Sequence, residues 1–167
     1  MHNRRLFCAL WPSEAERAAL AAATQRLFPL SGRPVAPADL HITLAFIGAV
    51  AEPRVDRFLE LRRSVSPVRI SLDTLEHWPK SRVLVATASD VPDALRATVD
   101  ALWQRLDRLG VQRETRAFRP HVTLARDVPR WRAGTAWPSV SWTAREIVVV
   151  ESRPGEIPRY QPLDRRP

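Results

Sequence analysis

Two hexapeptides eighty residues apart, Leu40-His41-Ile42-Thr43-Leu44-Ala45 and Pro120-His121-Val122-Thr123-Leu124-Ala125, share His, Thr, Leu and Ala at equal offsets. The chain holds only 4 histidines. One His-x-Thr in a strand is unremarkable, since threonine favours strands; the matched pair is what argues for a site. Residues two apart on a strand share a face, so each motif sets an imidazole beside a hydroxyl, with Ile42, Leu44, Val122 and Leu124 packed behind. If the two strands meet across a cleft, two hydroxyls and two rings able to exchange protons near neutral pH converge on one small volume.

Such a set fits a phosphodiester. In-line displacement at phosphorus needs a base to take a proton from the attacking oxygen and an acid to give one to the leaving oxygen, one on each side. The Thr43 and Thr123 hydroxyls can donate to non-bridging oxygens as charge shifts in the transition state. Arg119 and Arg126 flank the second motif and could add charge-assisted contacts to a phosphate. Arg119 has the parity of His121; Arg126 has the opposite parity and reaches that face only if the strand end or a bulge turns it inward. Zinc is the rival, but it wants three or four protein ligands. Cys8, His2, His41, His77 and His121 show no tight ligand spacing, and neither motif contains an Asp. No metal and no other cofactor is expected.

The elements that must position these residues alternate between strand and helix. Residues 5–11 read as a central strand, and Ser13 with Glu16 forms a capping box for a helix to about Phe28. A loop over 29–39 leads to a strand over 40–47 that Gly48 closes. A second helix starts after Pro53 and stops before Pro67. Strands are predicted over 68–75 and 82–88, with a turn at 77–81 that holds His77 as a structural residue. A long helix follows to about Leu109, with Leu95, Val99, Leu102 and Leu106 as its inner stripe and Gly110 as its stop. Further strands are predicted over 118–126, 144–151 and, as a short edge strand before a basic tail, 160–163. The one internal echo suggests two similar α+β lobes sharing a cleft.

Length and composition fit one domain: 167 residues, 45% hydrophobic and 26% charged, enough to bury a core without staples. Cys8 lies in an apolar run and has no disulfide partner in the chain. No apolar run approaches the roughly 18 residues of a membrane span, and the short apolar segment after Arg4 and Arg5 is no full signal peptide, so a cytoplasmic location is expected. The net charge of +8 favours an anionic partner. Lys80 is the only lysine, and arginine's planar fork suits phosphate and stacked bases. Seven arginines lie between Arg108 and Arg132 against Glu114 and Asp127, a candidate rim for a polyanion, with Trp131, Trp137 and Trp142 nearby as candidate base-stacking rings.

The paired motifs resemble the hallmark of the two-histidine phosphoesterase superfamily. Beyond the hallmark, the chain is similar to its branch of RNA 2′,3′-cyclic phosphodiesterases, also named 2′-5′ RNA ligases. The resemblance rests on Arg5-Leu6-Phe7-Cys8-Ala9-Leu10 with Pro12, on Asp39 through Gly48, on Arg119 through Arg126, and on Tyr160-Gln161-Pro162-Leu163. It implies a bilobal α+β fold with two pseudo-symmetric antiparallel sheets flanked by helices around a central cleft, in a single domain over 1–167. It also implies metal-independent hydrolysis of a terminal RNA 2′,3′-cyclic phosphate to a 2′-phosphate, with His41 as general acid and His121 as general base. Thr43, Thr123 and Arg126 correspond to phosphate-binding positions, and Phe7 to an aromatic near the nucleotide. The expected partner is an RNA end, including tRNA fragments, and the expected state is a monomer. Three alternatives stand beside this reading: 2′-5′ ligation by the reverse chemistry, hydrolysis of a small cyclic phosphodiester, and RNA-end binding without catalysis.

Overall fold

The structure, a computed structural model, describes residues 3–28 and 31–164. His2, the start of the expected 29–39 loop and the end of the basic tail lie outside the described residues. Among the described residues, nine strands and three α-helices follow in the order β1 (Asn3–Leu10), α1 (Glu14–Gln25), β2 (Arg33–Pro34), β3 (Ile42–Ala51), α2 (Val55–Leu59), β4 (Arg63–Leu72), β5 (Thr74–Trp78), β6 (Val83–Thr87), α3 (Asp93–Arg108), β7 (His121–Arg126), β8 (Val140–Ser152) and β9 (Tyr160–Leu163).

The helices start and stop for local reasons. The Ser13 hydroxyl accepts from the Glu16 amide at 3.3 Å while the Glu16 carboxylate accepts from the Ser13 amide at 2.8 Å, the reciprocal capping box. Leu20, Ala23 and Thr24 are the buried face of α1. The expected stripe of α3 is fully inside, with Leu95, Val99, Leu102 and Leu106 at most 2% exposed. Gly110, at φ +83°, ends α3 in a Schellman motif: its amide donates to the Asp107 carbonyl and that of Val111 to the Leu106 carbonyl.

The strands pair antiparallel in the order β4-β8-β1-β3-β7-β6-β5, with β2 on β7 and β9 on β8. Hydrogen bonding therefore joins the expected two sheets into one. The junction is slight: β3 and β7 pair only at Ile42 and Val122, and beyond that pair the two arms diverge. The two end strands are consecutive in the chain, and the Asp73 amide between them donates to the Thr87 carbonyl on β6 at 3.0 Å. The sheet thus curls until its ends meet. One face carries the main core with the helices; the other carries a small second cluster of Phe7, Ala9, Val148 and Val150.

Several boundaries differ from the sequence reading. The expected second helix is a single turn, and residues from Arg63 onward form β4. Ser64, Val65 and Ser66 are weak helix formers, and the sheet offers a partner in β8. Pro67 is accepted because β4 is an end strand and its register is broken there. Gly48 bends β3 rather than ending it: at φ +91° it sits beside the bulged Ile47, and the strand runs on to Ala51. His77 belongs to β5, not to a turn, and its Nε2 is 2.8 Å from the Val128 carbonyl.

Because the junction rests on one residue pair, it is the place to test. Ile42 is fully buried, and Ile42→Ala is expected to lower the unfolding free energy in urea by about 2–5 kcal/mol. A loss below about 0.5 kcal/mol would mean that the arms are held together elsewhere.

Candidate active site

The Ile42–Val122 pair brings the two motifs side by side. In antiparallel register the neighbours of that pair are His41 opposite Thr123 and Thr43 opposite His121. Each imidazole is held in the same way. His41 Nδ1 donates to the Asp39 carbonyl at 2.6 Å and His121 Nδ1 donates to the Arg119 carbonyl at 2.8 Å, in both cases two residues upstream. A carbonyl can only accept, so the proton of each neutral ring sits on Nδ1 and Nε2 carries the lone pair. His41 Nε2 accepts from the Thr43 hydroxyl at 3.1 Å.

Just past each threonine the strand bulges at the same motif position. Against β1 the extra residue is Leu44, and against β6 it is Leu124. The bulge reverses the alternation, so Ala45 and Ala125 are buried and the next residue returns to the histidine face. In one motif that residue is Phe46, 58% exposed. In the other it is Arg126, whose Nη2 donates to the Tyr160 hydroxyl at 3.2 Å. The bulge is thus the device that turns Arg126 inward.

The two rings have different surroundings. Trp11 stacks on His41 with centroids 5.5 Å apart and planes 11° apart, Tyr160 meets it edge-on at 4.8 Å, and Phe7 lies at 5.0 Å. Phe7 is only 3% exposed; it supports His41 from beneath rather than offering a free ring face to a base. Asp39 fixes the rest of this wall, its carboxylate accepting from the Tyr160 amide at 2.9 Å and the Arg159 amide at 3.2 Å. His121 instead lies 4.6 Å from Trp78. Arg119 is on the expected side of the strand, but its guanidinium donates to Glu76 at 2.6 Å and lies over Trp78 at 5.7 Å. Arg119, expected to hold phosphate, is thus ion-paired with a carboxylate and braces the wall beside His121.

With this geometry in place, likeness to known proteins can be placed on residues. The 2′-5′ RNA ligase superfamily matches over residues 11–156, which spans both motifs. The chain belongs to the RNA 2′,3′-cyclic phosphodiesterase family of the two-histidine phosphoesterases. The RNA 2′,3′-cyclic phosphodiesterase of Escherichia coli is 35% identical over 127 residues, 74% of this chain and 72% of that protein. That of Thermus thermophilus is 33% identical over 153 residues, 80% of this chain and 77% of that protein. Among solved structures, E. coli LigT complexed with 3′-AMP superposes with a TM-score of 0.79 at 28% identity, covering 98% of this chain and 97% of that one.

The electrostatics of this family member's site favour neutral imidazoles. Burial pushes His41 down to about 4; the bond to the Asp39 carbonyl opposes this and the nearby Arg126 guanidinium adds to it. His121 is also lowered, first by burial and then by Arg119, against the carbonyl bond and Glu76. Burial alone would raise Glu76, but hydrogen bonds from Trp78, Thr87 and Arg119 outweigh it, and its carboxyl is held below the usual range. Among the described residues no three His, Cys, Asp or Glu side chains converge as a metal-ligand set. Burial pushes the Cys8 thiol, in the core, up to about 12.

The structure thus brings His41, His121, Thr43, Thr123 and Arg126 to one face. Sequence reasoning missed Asp39, Tyr160, Trp78, Glu76 and Phe46 as their neighbours. The candidate stacking tryptophans lie elsewhere: Trp142 is 1% exposed in the core, and Trp137 packs against the core and donates to the Leu72 carbonyl. The lowered His41 value has a consequence for stability. The unfolded chain binds this proton near pH 6.5 and the folded chain only near 4, so the unfolded state holds more protons in between and stability falls as pH drops through that window. The urea unfolding free energy should therefore decline from pH 6.5 to 4.5, above the range where carboxylates dominate. His41→Gln should flatten this decline, and an unchanged slope would show that His41 does not titrate abnormally.

Proposed function

We propose that this protein hydrolyses a terminal RNA 2′,3′-cyclic phosphate to a 2′-phosphate without a metal ion. His41 is the general acid for the 3′ oxygen and His121 the general base for water. The observation that carries the reading is the matched pair of Nε2 atoms, each freed by a backbone carbonyl on Nδ1 and presented from adjacent strands. A phosphorus between them meets a proton donor on one side and an acceptor on the other. Thr123 donates to its non-bridging oxygens, as does Thr43 once a protonated His41 Nε2 no longer takes its proton, and Arg126 supplies a guanidinium on the same face. The relatives named above as RNA 2′,3′-cyclic phosphodiesterases support the substrate class. His121 has the more open surroundings and suits the ring that meets water, while His41 is enclosed by Trp11, Phe7 and Tyr160.

A neutral ring is ready as a base, but the acid must carry a second proton. The substrate itself supplies the condition: a phosphate anion between the rings favours the imidazolium and raises both pKa values on binding. The bell-shaped profile of kcat, which reports the complex, should therefore lie at higher pH than that of kcat/KM, which reports the free enzyme. Coincident profiles would mean that the phosphate has no part in setting the protonation of the site.

The decisive assay is hydrolysis of a short RNA bearing a 2′,3′-cyclic phosphate, in EDTA, with the product identified. The expected product is a 2′-phosphate, which makes the 3′ oxygen the leaving group. His41→Ala and His121→Ala should each lower kcat by roughly 10²- to 10⁴-fold with the fold retained. A 3′-phosphate product would reverse the assigned geometry, and wild-type turnover in both variants would sink the mechanism.

A further inference from the structure

Past the Ile42–Val122 pair, β3 has β1 on one side and no paired strand on the other among the described residues. Along this open edge runs a groove of about 500 Å³, bounded by Phe46 and Ala49 on β3, Arg54 just before α2, and Leu109 and Gln112 after α3. It adjoins a second hollow of about 240 Å³ that shares Leu109 and is lined by Arg57, Glu60, Arg105 and Arg108. The near end of the path begins at the candidate active site. The exposed Phe46 ring is 6.2 Å from Phe7, which is 5.0 Å from His41.

The charge along this path is largely uncompensated. Among the described residues, the Arg54 and Arg105 side chains donate only to backbone carbonyls, of Leu109 and Glu60, at 3.2 Å each. The side chains of Arg57 and Arg108 have no hydrogen bond or ion pair to any described residue. Among the described residues, Glu60 is the one carboxylate lining the second hollow. The arrangement contrasts with Arg113 and Arg119 of the expected polyanion rim, which are paired with Asp100 and Glu76. Arg105 and Arg108 lie in the last turn of α3, where cations complement the helix dipole, but Arg54 and Arg57 come from a different element and converge on the same place.

We propose that the RNA strand upstream of the reacting nucleotide leaves the cleft over Phe46 and follows the open edge of β3. Its backbone phosphates are then held by Arg54, Arg57, Arg105 and Arg108. The inference rests on the proposed chemistry for the choice of RNA. The span is too long for a mononucleotide: from Thr43 to Ala51 the bulged strand keeps pace with the stretch from Ala9 to Asn3 on β1, about 20 Å at about 3.3 Å per residue, the reach of several nucleotides at about 3.4 Å each when stacked. An aromatic ring followed by a run of guanidiniums is also how single strands are held without reading sequence.

The test compares two cyclic phosphates, adenosine 2′,3′-cyclic monophosphate and an RNA of about ten nucleotides ending in the same group, in wild type and in Arg57→Ala/Arg108→Ala. Neither side chain has a partner to lose among the described residues, so the fold should be unaffected. The expected result is a roughly tenfold fall in kcat/KM for the longer RNA at low salt, a log–log salt slope shallower by about 1.4 for two lost phosphate contacts, and unchanged turnover of the mononucleotide. Equal effects on both substrates, or none on either, would overturn the groove. Fluorescence anisotropy of the same RNA, labelled at its 5′ end, separates this proposal from the chemistry. If wild type cleaves neither substrate, the proposed reaction fails, while the groove stands or falls on whether the double variant weakens RNA binding and flattens its salt dependence.

Discussion

The site depends on a single antiparallel contact. β3 and β7 share one ladder pair, Ile42 and Val122. A longer ladder would place the two histidine strands flat against each other, and a missing one would leave their rings on unrelated surfaces. One pair suffices to set the relative position of four polar side chains, because alternation along each strand puts both neighbours of the buried residue on the opposite face. The same brevity opens the space that a substrate needs, since the arms part immediately beyond it. The open edge of β3 is the second product of this geometry, and it leads directly out of the cleft.

Orientation of the two imidazoles then comes mainly from the backbone. In both motifs the carbonyl two residues before the histidine takes the Nδ1 proton. A carboxylate in that place would stabilise the imidazolium and raise its pKa, whereas a neutral carbonyl fixes the tautomer with less bias toward the charged ring. Burial outweighs what bias remains and favours the uncharged form of both rings in the free protein, so the rings answer to the charge of whatever enters between them. Asp39 has two tasks in this scheme. Its carbonyl holds His41, while its carboxylate takes the Arg159 and Tyr160 amides and so draws β9 against the same ring.

Much of this was legible in the sequence where the signal is local and periodic. The capping box at Ser13, the inner stripe and Gly110 stop of α3, the first strand and the paired His-x-Thr motifs all declare themselves within a few residues. Three things were not legible, for physical reasons. Residues 63–67 have little preference of their own, and a sheet edge decided them. The bulges at Leu44 and Leu124 are defined by what lies across the ladder, so the direction of Arg126 could be posed only as a condition. Arg119 had the right parity for the site, but its partner Glu76 lies forty-three residues away on β5, and strand alternation says nothing about such a competitor.

Two copies of one backbone device cannot by themselves divide the work of acid and base. The difference must come from what surrounds them, and it is concentrated at the residue that follows each hexapeptide and at the walls. The bulge delivers Phe46 to the cleft from one strand and Arg126 from the other, an apolar surface and a cation from equivalent places. Around His41 the wall is aromatic, from Trp11, Phe7 and Tyr160, with Arg126 adding positive charge; around His121 it is Trp78 with the Glu76–Arg119 pair. A proton placed on His41 is therefore held weakly, which makes that ring the stronger donor to a departing oxygen once a bound anion has brought the proton there. His121, beside a carboxylate and closer to solvent, can take a proton from water more readily. On this argument the proposed assignment follows from the asymmetry of the surroundings, which the symmetric motifs alone do not contain.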